Sequence, residues 1–91
     1  MLTAQRLRIK RKIAKEKPSI WIGKNGVTDE LIKEALNQLE RTQTTKIKIQ
    51  KTVLKTSSLE DLARETANKT GSNLIDIRGR SFTLYKQKKE L

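Results

Sequence analysis

Apolar residues recur along this chain with two periods, and the changes of period mark its elements. Leu2, Ile9 and Ile13 share one stripe, with Leu7 and Ala14 beside it, which predicts a helix from Leu2 to about Lys15 with a single packing side. Pro18 and the restriction it places on Lys17 end that helix. Ser19-Ile20-Trp21-Ile22 is short, β-branched and aromatic, and lies between Pro18 and Gly23, so it predicts a strand. Gly23-Lys24-Asn25-Gly26 predicts a tight turn, because Gly and Asn tolerate positive φ. The helical period returns over Val27–Thr42, where Leu31, Ile32, Ala35, Leu36 and Leu39 form a core-facing stripe. Thr28 suits its N-cap, and Asp29 and Glu30 place negative charge in the first turn, where the helix dipole favours it.

Lys46-Ile47-Lys48-Ile49-Gln50 alternates strictly, predicting a strand with one buried face and one solvated, basic face. After a Lys/Thr/Ser loop over Lys51–Ser57, Ser58 caps a second core helix with Leu59, Leu62, Ala63, Thr66 and Ala67 inside and Gly71 at its C-terminus. Leu74–Arg78 and Ser81–Tyr85 are strands joined by Gly79-Arg80, an antiparallel hairpin. The order αβαβαββ predicts an α/β (α+β) sandwich with a mixed four-stranded sheet. The strand-helix-strand units ask for parallel pairs, the hairpin for an antiparallel one, and right-handed crossovers put both core helices on one face. Residues 1–88 form a single domain and residues 89–91 a frayed tail. Ile20 and Ile22 face the helices, so Trp21 points to the other side. There it is expected to pack under the first helix rather than to stack on a base. Phe82 belongs to the core, and Tyr85 is expected to be partly exposed.

Composition sharpens the picture by exclusion. The 91 residues contain no Cys and no His, which removes disulfides, thiolate nucleophiles, most hydrolytic triads and most transition-metal sites. The chain carries 21 Lys+Arg against 10 Asp+Glu, a net charge of +11, which calls for a polyanionic partner. The charge is zoned. Residues 1–17 carry +6, residues 46–57 carry +4 and residues 74–91 carry +3, while the two core helices and their flanks (28–45 and 58–73) are slightly acidic. No window approaches the roughly 18 apolar residues of a membrane span, and the basic helix lacks the Trp or Phe anchors of membrane-surface helices. The N-terminus has no apolar stretch of a secretory signal, so a cytoplasmic protein is expected.

Three places could meet a polyanion. Glycines at both ends of Gly23–Gly26 let a sugar-phosphate chain approach the amides of residues 24–26, with the Lys24 ammonium alongside. Asp29 and Glu30 compete with the dipole of the following helix, which leaves the loop amides and Lys24 as the anion contact. Against this stands the reading in which the glycines serve turn geometry alone. Arg6, Arg8, Lys10, Arg11, Lys12 and Lys15 cover most of the first helix without an acid until Glu16, more than solubility requires. Arg78 and Arg80 flank Gly79 at the hairpin tip, as an extension of that cationic track or as a solubilising charge.

The stretch Ile20-Trp21-Ile22-Gly23-Lys24-Asn25-Gly26-Val27-Thr28 resembles the signature of the CRM domain (chloroplast RNA splicing and ribosome maturation). The chain as a whole is similar to its stand-alone YhbY-type members over roughly residues 2–88. Lys46-Ile47-Lys48-Ile49, Gly71, Ile77 with Gly79, and Leu84-Tyr85-Lys86 follow in matching order, with Lys86 where the family usually has arginine. The resemblance implies a fold like the C-terminal domain of bacterial translation initiation factor three. It also implies a Gly-x-x-Gly loop used on RNA much as KH domains clamp backbone. Stand-alone members associate with precursors of the large ribosomal subunit.

The function expected from this sequence is RNA binding without catalysis. The protein would dock on structured ribosomal RNA or its precursor, within ribosomal particles, during large-subunit assembly. It would use no cofactor, no metal, no membrane and no small-molecule substrate. The ten carboxylates lie mostly on outward helix faces near Lys or Arg and do not converge. With aromatics at 3 %, contacts to phosphates, sugars and RNA shape are expected to outweigh a multi-base stacking platform. The alternatives are a permanent ribosomal protein, or a protein-interaction module with weak RNA affinity.

Overall fold

The computed structural model describes residues 7–8, 11–12 and 16–87. Leu7, Arg8, Arg11 and Lys12 are helical and exposed, and the rest of the N-terminal helix expected over 2–15 lies outside the described residues. From there the elements run β1 (Ile20–Ile22), α1 (Asp29–Thr42), β2 (Thr44–Ile49), a 3₁₀ turn (Val53–Lys55), α2 (Leu59–Thr70), β3 (Asn73–Arg78) and β4 (Ser81–Tyr85).

Both helices begin where their N-cap side chains dictate. The Thr28 hydroxyl accepts from the Leu31 amide at 3.2 Å, and the Ser58 hydroxyl from the Asp61 amide at 3.5 Å. Gly71 ends α2 in the left-handed region at φ 64°, as a C-terminal glycine should. α1 ends at Thr42 as expected, but its left-handed cap was not foreseen. Gln43 takes φ 66° and donates its amide to the Leu39 carbonyl, so a residue with a β-carbon does the work usually left to glycine.

The sheet order is β1-β2-β4-β3. β1 pairs parallel to β2, with Ile20 opposite Ile47 and Ile22 opposite Ile49. The second strand-helix-strand unit departs from expectation. β3 runs in the same direction as β2 but is not bonded to it, because β4 folds back between them and pairs antiparallel with both. The side chains account for the order. β4 carries Phe82, Thr83, Leu84 and Tyr85, all buried, and takes a central place, whereas β3 holds exposed Ile77 and Arg78 and takes an edge. The hairpin turn is Gly79-Arg80 as expected, with Gly79 at φ 54°, the conformation a type II′ turn puts at its first central position.

α1 and α2 cover one sheet face. Their inner residues Leu31, Ala35, Leu39, Leu62, Ala63 and Ala67 close over Ile20, Ile22, Ile47, Ile49, Phe82 and Leu84. Each large aliphatic side chain buried here contributes about 1.5–3 kcal/mol. Polar groups at the seam are bonded. Gln38 on α1 accepts from the hydroxyls of Thr45 (2.9 Å) and Ser19, which fastens the helix to β2 and to the entry of β1. Thr66 and Thr70, buried on α2, donate to the Leu62 and Thr66 carbonyls at 2.8 Å.

The opposite face corrects two expectations. Tyr85 is buried at 5 % exposure rather than partly exposed, and Trp21 is 53 % exposed rather than packed. Alternation along β1 decides which way Trp21 points, but not whether anything covers it there.

Gln43→Gly should therefore stabilise the protein by about 1 kcal/mol by removing the left-handed penalty. Thermal denaturation should show the midpoint rising by roughly 4–8 °C for a domain of this size. Ile47→Ala should cost about 2–5 kcal/mol.

Candidate nucleic-acid interface

The topology brings three segments to one end of the sheet. β1 runs into Gly23, β2 into Gln50, and the β3–β4 hairpin turns at Gly79-Arg80, so the 23–26 loop, the 50–57 loop and the hairpin tip share that end. Backbone bonds lock the neighbours together. The Gln50 amide donates to the Ile22 carbonyl at 2.9 Å, and the Ile49 amide to the Arg80 carbonyl at 2.7 Å. The N-cap of α2, Ser58, follows directly on the 50–57 loop.

Within the first loop, the Gly26 amide donates to the Gly23 carbonyl at 2.9 Å and closes the turn. That bond uses one of the three amides expected to face a ligand. The Lys24 and Asn25 amides have no intramolecular partner among the described residues, and both side chains are exposed. The two glycines serve different needs. Gly26 sits at φ 71° in open space, so its backbone conformation favours glycine. Gly23 has no positive φ, and a β-carbon there would meet the Gln50 side chain at an ordinary 3.5 Å. Turn geometry thus explains Gly26 and leaves Gly23 unexplained.

The loop is flanked by two unlike hollows. One, of about 230 Å³, lies between Lys24–Gly26 and the second loop and is bordered by Thr52, Thr56 and Ser57. The other, of about 460 Å³, follows β1 and the start of α1 and is lined by Trp21, Gln50, Glu30 and Glu34 as well as by Lys24–Gly26. Hydroxyls and an ammonium suit a phosphate, whereas carboxylates repel one.

The other expected site residues divide. Arg80 is exposed at the hairpin tip and forms no ion pair among the described residues. Arg78 is exposed too, but its Nε lies 3.1 Å from Asp76, which offsets part of its charge. Arg8, Arg11 and Lys12 are exposed helical residues with no bond to the loop among the described residues, while Arg6, Lys10 and Lys15 lie outside them. Thr52, Thr56 and Ser57 were not foreseen as site residues. The signal was present in Lys51-Thr52-Val53-Leu54-Lys55-Thr56-Ser57, where cations and hydroxyls interleave, but it reads as an ordinary polar loop until the fold sets it beside Gly23–Gly26. Trp21 and Lys48 also stand together, with the Lys48 ammonium 5.2 Å from the indole centroid.

A four-stranded mixed sheet with two helices on one face, ending in a glycine-flanked loop among cations, defines a class of small α+β modules. Within that class, the family model of the CRS1 / YhbY (CRM) domain matches residues 1–86, and the chain belongs to this family. Among solved structures the fold is similar to the solution structure of a hypothetical protein from Staphylococcus aureus, described as a candidate RNA-binding protein. The two are 26 % identical with a TM-score of 0.76, and the match covers 99 % of this chain and 93 % of that one. No curated protein matches the chain significantly.

The two glycines should separate on substitution. Gly26→Ala should lower the melting temperature by several degrees, the cost of roughly 1 kcal/mol for a β-carbon at positive φ. Gly23→Ala should leave it unchanged or slightly raised, as measured by thermal denaturation of both variants.

Proposed function

We propose that this protein binds RNA without catalysis, docking on structured ribosomal RNA or its precursor during assembly of the large ribosomal subunit. The reading rests above all on one observation. Gly23 is a glycine that the fold does not require, beside two unpartnered amides, Lys24 and a hydroxyl-lined hollow. The phosphate of a bound nucleotide enters that hollow, between the Lys24 and Asn25 amides and the hydroxyls of Thr52 and Ser57, while the Thr56 hydroxyl donates to the Val53 carbonyl at 3.3 Å. Arg80 and the basic N-terminal stretch supply further cations along the strand. Family membership and the Staphylococcus aureus neighbour support RNA as the partner. The ribosomal target is the finer step, taken from the family resemblance and the size and charge of the chain.

Two carboxylates on α2 are taken up in helix ion pairs. Glu60 pairs with Arg64 at 2.6 Å and Glu65 with Lys69 at 3.4 Å, both one helical turn apart on α2. Among the described residues no group of three or more His, Cys, Asp or Glu could hold a metal ion.

Binding to a large-subunit ribosomal RNA fragment should weaken with salt. About five phosphate contacts give a slope of log K against log salt of roughly −3.5 to −4.5. Lys24→Ala should reduce that slope by about 1 while leaving the melting temperature in place. Gly23→Val should weaken binding about tenfold by obstructing the approach to the loop amides. Affinity independent of salt, or wild-type affinity in both variants, would place the interface elsewhere. Crosslinking in cells, with sequencing of the attached RNA, tests the ribosomal target.

A further inference from the structure

The sheet face turned away from the helices carries a cross-strand row that the loop reading does not use. Trp21 pairs with Lys48, Lys48 with Ser81, and Ser81 with Arg78, so four strands contribute one residue each to a line beside the loop. Its first member is an indole left 53 % exposed on an edge strand, two residues before Gly23. Exposing an indole forgoes the stabilisation its burial would give. The β1 fold does not require it, since Ile20 and Ile22 alone anchor the strand in the core.

Resting on the RNA-binding reading above, we propose that Trp21 is a stacking site for one unpaired nucleobase, belonging to the nucleotide whose backbone the Gly23–Gly26 loop holds. Three observations favour a base over other occupants. Trp21 borders the same hollow as the loop, so a nucleotide whose phosphate meets the loop has its base within reach of the indole. Glu30 and Glu34 on that hollow's wall, with Lys24 as its one cation, disfavour phosphates relative to a neutral heterocycle. Lys48, 5.2 Å from the ring centroid, sets a cation beside the indole, where a flanking phosphate of a stacked base would lie, and Arg78, partly offset by Asp76, ends the same row on the far edge strand. An apolar protein surface would gain from the indole alone and would have to bury the cations with it.

The test uses a built-in reporter, because Trp21 is the only tryptophan in the chain. Two polyanions are titrated separately into the whole protein under selective tryptophan excitation: a short unstructured RNA, and inorganic polyphosphate, which has the charge but no bases. Stacking predicts strong quenching by RNA and little by polyphosphate, although both bind. Trp21→Ala should lose roughly tenfold in RNA affinity while keeping its polyphosphate affinity and melting temperature, and Trp21→Phe should recover most of the loss. Two results would overturn the proposal and spare the loop reading. One is RNA binding at wild-type affinity by Trp21→Ala; the other is equal quenching by the two polyanions. Failure of the wild type to bind RNA at all, with polyphosphate still bound, would overturn both readings.

Discussion

Everything at the candidate interface hangs on three residues of parallel pairing. β1 is only Ile20–Ile22, yet the position of the 23–26 loop depends on it. Two buried isoleucines seated opposite Ile47 and Ile49 hold the strand against β2. Backbone bonds extend the hold at both ends: the Ser19 amide donates to the Lys46 carbonyl at 3.0 Å, and the Gln50 amide to the Ile22 carbonyl. The hydrophobic contact is insensitive to salt, whereas the cations around the loop act through a screened field. Placement of the loop and attraction of its partner therefore respond to different conditions, and changes to one leave the other largely intact.

Much of this architecture was legible in the sequence because local chemistry decided it. Thr28, Ser58 and Gly71 cap the helices as their side chains predict, and the alternation in Lys46–Ile49 sets the buried face of β2. Strand order was not legible. The hand of a crossover fixes which face the helices cover, but it does not say whether β3 or β4 settles against β2. The unbroken burial of Phe82–Tyr85 decides that, and burial is a property of the finished sheet. Gln43 was hidden for a related reason: a left-handed residue with a β-carbon persists because the surrounding fold holds it. Lys86 is instructive in the same way. It stands where the family usually has arginine, and its ammonium donates to the Thr70 carbonyl at 3.0 Å, satisfying the end of α2. Its cation serves the fold at the end of the sheet remote from the loop.

The candidate site was legible as a loop and illegible as a cleft. Gly23–Gly26 stands out by composition, but the hydroxyls of Thr52, Thr56 and Ser57 reach it only through the parallel pairing of β1 and β2. The +11 charge likewise reads differently once placed. Part of it is spent internally, on Asp76, Glu60, Glu65 and the Thr70 carbonyl, while Lys24, Lys51, Lys55 and Arg80 stay exposed at the loop end.

The unlike walls around the loop give it a sense of direction. A ring of cations would accept a polymer laid across it either way round. Under the proposed binding mode, a strand crossing the loop meets Lys24 from either hollow, with Thr52, Thr56 and Ser57 on one flank and Glu30, Glu34 and Trp21 on the other. A ribose-phosphate chain is itself polar from 5′ to 3′, with its bases leaving on one side. Turning such a chain end for end presents its phosphates to Glu30 and Glu34. The asymmetry of two small hollows can thus impose an orientation on a bound strand without reading a single base.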